Sequence, residues 1–190
     1  YISASLKDNN LKFYRFTTRN GKSNFYDQNG KSSKKTLMKT PLNGARLSSG
    51  YGNRKHPILG FTKMHRGIDF AAPIGTPIFA AGDGVIEYSG WNGAYGKYIR
   101  IKHNGTFKTA YAHLSKIYKK RGTRIKQGDI IGTLGSTGRS TGPHLHYEIL
   151  IGGRQVNPLR IKLPSGKNIP KNELENFYKK QAVIELSLIH

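Results

Sequence analysis

At 190 residues the chain is long enough for one well-buried domain with appendages and short for two full-sized ones. With 36% hydrophobic residues, 11% aromatic residues and 23 glycines it reads as a turn-rich globular β protein rather than a disordered or helical one, and no apolar run approaches the roughly 20 residues of a membrane span. The lack of cysteine excludes disulfides and thiolate metal sites, while a formal charge of +22 favours a polyanionic partner, whether nucleic acid, anionic membrane surface or acidic cell-wall polymer.

Residues 1–40 alternate apolar and polar positions from Leu11 to Phe16 and again near Phe25 and Tyr26, broken by Asn20-Gly21 and Asn29-Gly30. Asn-Gly between alternating runs is a strong hairpin signal, so this stretch is expected to be a small β element, the end of a preceding domain. The N-terminus has neither Met nor a signal-type apolar core, so the chain is expected to be a fragment or mature form without its targeting segment. A basic connector, Lys31 to Lys39, ends at Pro41, and a boundary is expected there.

From 41 to 160 short apolar runs alternate with turn signals: P-I-F-A-A, G-V-I-E-Y-S-G, Y-I-R-I-K-H, K-T-A-Y-A-H-L, D-I-I-G-T-L-G and H-L-H-Y-E-I-L-I. The spacing predicts a mainly β domain, a sandwich or open barrel. Two pieces echo each other, G-T-P-I-F-A-A-G-D-G-V-I at 75–86 and G-T-R-I-K-Q-G-D-I-I-G at 122–132, each a strand, a Gly-Asp turn and a strand. Residues 161–190 form an extension in which Leu174, Phe177, Tyr178 and Gln181 fall near helical spacing behind Pro170, predicting a C-terminal helix packed on the domain.

Three segments carry chemistry. In T-G-P-H-L-H-Y-E, strand alternation points His144 and His146 the same way and Leu145 into the opposite layer. In M-H-R-G-I-D-F-A-A-P, His65 and Asp69 converge either on a helix turn or across a tight bend, and Gly67 with Pro73 favours the bend. In Y-A-H-L, alternation puts Tyr111 and His113 on one face, with Tyr111 expected to be a packed aromatic rather than a hydrogen-bonding partner. Imidazole nitrogen and carboxylate oxygen are what zinc takes when thiolates are absent, and a catalytic site keeps three protein ligands and a position for water. Four histidines and an aspartate exceed what a structural site needs. His56, His103 and His190 stand outside these segments and are expected to be surface or hydrogen-bonded core residues. Gly135, Gly138 and Gly142 allow a loop with positive φ and close backbone approach to a substrate, and equally fit plain turns.

H-x-x-x-D, Y-A-H-L and G-S-T-G-R-S-T-G-P-H-L-H-Y-E, in that order, together with the stretch from Arg46 to Ile86 and V-N-P at 156–158, resemble the lysostaphin/LytM family of zinc metallopeptidases, over roughly residues 41–160. The resemblance implies an open antiparallel β-sheet fold of duplicated-hairpin type with a substrate groove. It implies one Zn2+ per chain held by His65, Asp69 and His146, with His113 and His144 as the catalytic pair. It further implies a peptidoglycan endopeptidase acting on stem peptides and cross-bridges in the periplasm or cell envelope, most simply a D,D-endopeptidase within a longer multidomain protein. No glutamate adjoins a ligand histidine as in H-E-x-x-H peptidases, so the proton must pass to His113 or His144, and the sequence does not divide the roles.

Three other readings make distinct expectations. A non-catalytic relative binding the wall or an amidase would have lost some of these five positions, and all are present. A biotinyl/lipoyl carrier needs a modifiable lysine at a hairpin tip, whereas the turns read A-A-G-D-G-V and K-Q-G-D-I-I with Lys126 off the tip. A specific nucleic-acid reader would show a recognition motif beside its charge, and none is found.

Overall fold

The structure is a computed structural model that describes residues 1–6, 9–55, 62–163 and 166–188. Among these the chain forms two compact units, one of residues 37–162 and one of residues 1–36 with 163–190.

In the smaller unit β1 (Ile2–Leu6), β2 (Asn9–Thr17) and β3 (Ser23–Tyr26) make an antiparallel sheet. Both Asn-Gly pairs are turns, with Gly21 and Gly30 at φ 77° and 72°, a conformation open to residues without a Cβ. After a 3-10 turn at Lys171–Glu173 comes α1 (Leu174–Ser187). Within this unit Phe177 of the expected helix is buried against Tyr14, Phe16 and Tyr26 of the N-terminal strands, with Ile169 completing the cluster. The ring of Phe177 meets Phe16 edge-on at 5.5 Å, a favoured aromatic geometry.

In the larger unit the strands are β4 (Arg46–Ser49), β5 (Gly52–Lys55), β6 (Thr62–His65), β7 (Ile68–Ala71), β8 (Pro77–Phe79), β9 (Gly84–Trp91), β10 (Lys97–Lys102), β11 (Phe107–Ile117), β12 (Arg124–Ile125), β13 (Ile130–Leu134), β14 (His144–Ile151) and β15 (Arg154–Val156). The six apolar runs expected to be strands all are. The main sheet runs β12-β9-β10-β11-β14-β7-β4, with β15 on the far part of β14 and the β13–β8 pair on the second half of β11. β5 and β6 form a separate ribbon. All these pairings are antiparallel, as the fold expectation required.

The echoed segments pair crosswise. β8 of the first pairs with β13 of the second, and β9 of the first with β12 of the second. Their Gly-Asp turns also meet, since the Gln127 amide donates to Asp83 Oδ1 at 2.8 Å and Gly128 N–H donates to the Ala80 carbonyl at 3.0 Å.

Period-two patterning decides which sheet face is core. Ile99, Tyr111, Tyr147 and Ile68 stand opposite one another across β10, β11, β14 and β7, and each is 0% exposed. The adjacent row, Ala112, His146 and Asp69, points to the other face. Burying each of the large apolar side chains is worth roughly 1.5–3 kcal/mol, so this register resists a slip that would exchange the two rows.

Candidate active site

β14 supplies His144 and His146 to the face opposite the core, while Leu145, Tyr147 and Ile149 are buried beneath. β7 pairs beside it, and Asp69 lies directly across from His146. His65 ends β6, and the chain turns at Arg66 and Gly67 into β7, so His65 and Asp69 meet across the glycine bend and not on a helix. Glycine is required in that bend because a Cβ on Gly67 would stand 2.6 Å from the Tyr147 carbonyl oxygen and 2.7 Å from Cε1 of His146.

His113 reaches the site through an irregularity. β11 pairs with β14 as far as Ala112 and with β13 from Leu114, and three steps on β11 from Tyr111 to Leu114 answer two on β10 from Ile99 to Lys97. This β-bulge gives His113 a φ of 63°, the one positive φ among described non-glycine residues. The bulge overturns the expectation that Tyr111 and His113 share a face. Tyr111 packs in the core against Tyr147, with rings 5.4 Å apart, and its hydroxyl accepts from the Ala81 amide at 2.8 Å, whereas His113 turns to the histidine cluster. The expectation of a packed aromatic at Tyr111 holds.

Three ligand-type atoms converge. His65 Nε2 is 3.0 Å from Asp69 Oδ1 and 2.9 Å from His146 Nδ1, and His146 Nδ1 is 2.9 Å from the same Asp69 oxygen. His144 Nε2 lies 4.0 Å from Asp69 Oδ1, and the His113 and His144 rings are 4.6 Å apart. The structure therefore brings all five sequence-selected residues into one cluster, with Asp69, His113 and His146 buried and His65 and His144 half-buried.

Each imidazole is oriented from behind. Nδ1–H donates to a main-chain carbonyl in three of them, His65 to Gly50 at 2.6 Å, His113 to Thr137 at 2.8 Å and His144 to Gly142 at 2.8 Å. His146 instead donates from Nε2 to Glu148 Oε1 at 3.0 Å, which leaves its Nδ1 lone pair directed at Asp69 and His65. Three lone pairs aimed at one point need a cation between them. A four-coordinate divalent ion about 2.0–2.1 Å from each ligand wants donor atoms roughly 3.3 Å apart, so this donor triangle and its N,N,O chemistry fit a metal.

Protonation follows from the same contacts. Burial disfavours the His146 imidazolium, but its bonds to Asp69 and Glu148 outweigh this and hold its pKa up at about 9 when protons alone supply the positive charge. Burial likewise pushes the Asp69 carboxyl up, and the His146 and His65 rings pull it far below the usual carboxylate range. Burial lowers the His113 pKa against the opposing bond to the Thr137 carbonyl, so this ring is neutral at pH 7.

Sequence reasoning passed over Glu148 and Tyr95. Glu148 follows His144 and His146 at the same two-residue period, a signal that was present in H-L-H-Y-E. Tyr95, whose hydroxyl donates to Glu148 Oε1 at 2.8 Å, sits on a 3-10 turn at Gly93–Tyr95 and had no periodic signal. Burial and the Glu148 charge push its phenol pKa up, so it stays a donor. Gly138, with φ 75°, makes its close approach to Gly96 of this turn, its own chain rather than a substrate, while Gly135 and Gly142 have ordinary φ. His103 is half-buried and hydrogen-bonded, donating to the Asp83 carbonyl at 2.8 Å and accepting from Thr109 at 2.7 Å, and His56 and His190 lie outside the described residues.

Residues 63–158, which hold every member of this cluster, match the model of Peptidase family M23. The chain is 49% identical over 155 residues to the peptidoglycan DD-endopeptidase ShyC of Vibrio cholerae, covering 81% of this chain and 36% of that protein. It thus spans about a third of the length of that relative. In three dimensions it resembles a zinc-containing peptidase from Vibrio cholerae (TM-score 0.66, 38% identity, 85% of this chain and 50% of the other). It also resembles the catalytic domain of the antimicrobial peptidase lysostaphin from Staphylococcus simulans (TM-score 0.57, 39% identity, 62% of this chain and 92% of the other). Motif order, antiparallel sheet and converging donors agree with these likenesses, and the chain belongs to peptidase family M23.

Proposed function

We propose that this chain is the catalytic part of a zinc-dependent endopeptidase that hydrolyses peptide cross-links of bacterial peptidoglycan at D,D bonds, outside the cytoplasm in the periplasm or cell envelope. The observation that carries the reading is the convergence of His65 Nε2, Asp69 Oδ1 and His146 Nδ1 within 3.0 Å of one another beside two further histidines. The DD-endopeptidase name of ShyC supports the bond. No described helix is long and apolar enough to cross a membrane.

His65, Asp69 and His146 would hold one zinc ion, leaving a net charge near +1 on the three-ligand centre. Bound there, zinc supplies a Lewis acid that polarises the scissile carbonyl and makes a water molecule acidic near neutral pH. His113, neutral through burial and with Nδ1–H tied to Thr137, offers Nε2 as the base that takes the water's proton. His144, anchored through Nδ1 on Gly142, faces the same centre through Nε2, where it is placed to stabilise the developing oxyanion.

The test is release of soluble muropeptides from purified sacculi by wild type, chelated protein, chelated protein given back zinc, His146→Ala and His113→Ala. Cleavage by wild type and zinc-restored protein alone is expected, with product masses marking a D,D bond. One bound zinc per chain without cleavage of any bridge would overturn the enzymatic reading in favour of a wall-binding relative.

A further inference from the structure

Glu148 is 2% exposed, and among the described residues no lysine or arginine pairs with it. A buried carboxylate is costly unless its lone pairs are met and its charge is balanced. Oε1 accepts from His146 Nε2 at 3.0 Å and from the Tyr95 hydroxyl at 2.8 Å, and Oε2 lies 3.4 Å from the Gln155 amide nitrogen. Its cross-strand neighbour Ala110 belongs to an apolar patch with Ala112, Tyr98 and Leu150, against which Tyr95 packs. Packing alone would favour an apolar side chain at this position.

We propose that Glu148 is a positioning residue that presents His146 to the metal through Nδ1, with Tyr95 holding Glu148 in turn. The inference rests on reading His65, Asp69 and His146 as ligands. A neutral imidazole has one proton for two nitrogens, and the nitrogen that carries it has no lone pair to give. By accepting from Nε2, Glu148 keeps the Nδ1 lone pair toward Asp69 Oδ1 and His65 Nε2, 2.9 Å away. Its charge adds to that of Asp69, so a divalent ion with two carboxylates and neutral imidazoles sums to zero within the buried cluster.

The same contact reaches His113. Tyr95 ends the 3-10 turn, whose Ala94 carbonyl accepts from Arg139 N–H at 2.8 Å. Just beyond the turn Lys97 N–H donates to Thr137 Oγ1 at 3.0 Å, and the Thr137 carbonyl anchors His113. Glu148 therefore ties the ligand His146 to the turn that packs on the loop orienting His113.

The experiment is zinc affinity by competition with a chromophoric chelator at fixed pH, with the cobalt absorption spectrum as a second readout, for the whole chain and for Glu148→Ala, Glu148→Gln, Tyr95→Phe and Gln155→Ala. Removing an outer partner of a metal-bound histidine costs about 10- to 100-fold in metal affinity, and this is expected for Glu148→Ala together with an altered cobalt band. Glu148→Gln, which keeps an acceptor but loses the charge, is expected to fall between Ala and wild type, and Tyr95→Phe to weaken binding less; Gln155→Ala, which removes only the longer 3.4 Å contact on Oε2, should weaken it least. Thermal unfolding of the metal-free proteins reports folding, and if Glu148→Ala does not fold, the isosteric Gln variant decides. Zinc affinity of the folded Glu148 variants within about twofold of wild type overturns the inference. Failure of wild type to bind zinc overturns this inference and the proposed function together, whereas the expected affinity ranking without any cleavage of sacculi overturns the proposed function alone.

Discussion

Gly67 has no side chain at a place where a Cβ would meet the Tyr147 carbonyl oxygen at 2.6 Å and the His146 ring at 2.7 Å. Gly67→Ala must displace one of them, and overpacking of this kind costs about 1–3 kcal/mol. The expected result is a lower unfolding midpoint together with zinc affinity reduced at least about tenfold, since the ring that moves is a proposed ligand. His113 gives a second prediction. Burial favours its neutral form, so the ring takes up a proton at lower pH than its ordinary value near 6.5. A base is active when neutral, so the acid limb of kcat/KM on a soluble cross-linked peptide is expected to have its midpoint below about 6.5. A midpoint well above that value would assign the limb to another group. His65, Asp69, His144 and His146 were legible because strand alternation and the glycine bend bring them together, and Glu148 obeyed the same alternation, whereas His113 was picked out by its motif and reaches the cluster through a bulge. Tyr95 and the carbonyls of Gly50, Thr137 and Gly142 were not legible, because loop geometry alone puts them behind the rings.

β11 shows where alternation stops being a guide. The strand must serve β14 on its first half and β13 on its second, and the changeover falls at His113. The bulge there puts Leu114, not His113, in the row of Tyr111, which is why the expected Tyr111–His113 pairing failed while the strand itself was correctly anticipated. A positive φ costs a residue with a Cβ of order 1 kcal/mol. Glycine normally weakens a strand relative to alanine, yet at this position His113→Gly is expected to be the more stable of the two by about 1 kcal/mol in urea unfolding, with both inactive. Alanine proving the more stable would mean that the strained conformation relaxes once the imidazole is gone. The echoed hairpins carried a structural meaning, as their text implied, but their crosswise pairing is a long-range choice that two similar segments do not disclose by themselves.

Across the whole chain, 32 lysines and arginines face 10 aspartates and glutamates. Peptidoglycan stem peptides carry free carboxylates, and attraction between them and such a surface is screened over about 10 Å at 0.1 M salt and about 3 Å at 1 M. Retention on sacculi in a pelleting assay is therefore expected to fall steeply with added salt, while cleavage of a small uncharged soluble peptide changes little; equal sensitivity of the two would place the charge effect in the site itself. All five site residues, Glu148 and Tyr95 lie in the unit of residues 37–162. That fragment alone is expected to fold cooperatively and bind one zinc with the affinity of the whole chain, and a loss of binding on excision would show that the remaining residues complete the centre.

Three of the four imidazoles hang on backbone oxygens, and no substitution of the residue that owns such an oxygen deletes it. An alanine scan through Gly50, Thr137 and Gly142 would report on turn shape or side-chain packing and stay silent on their service to the histidines. His146 lacks this protection, because its anchor is a side chain that a single codon change removes.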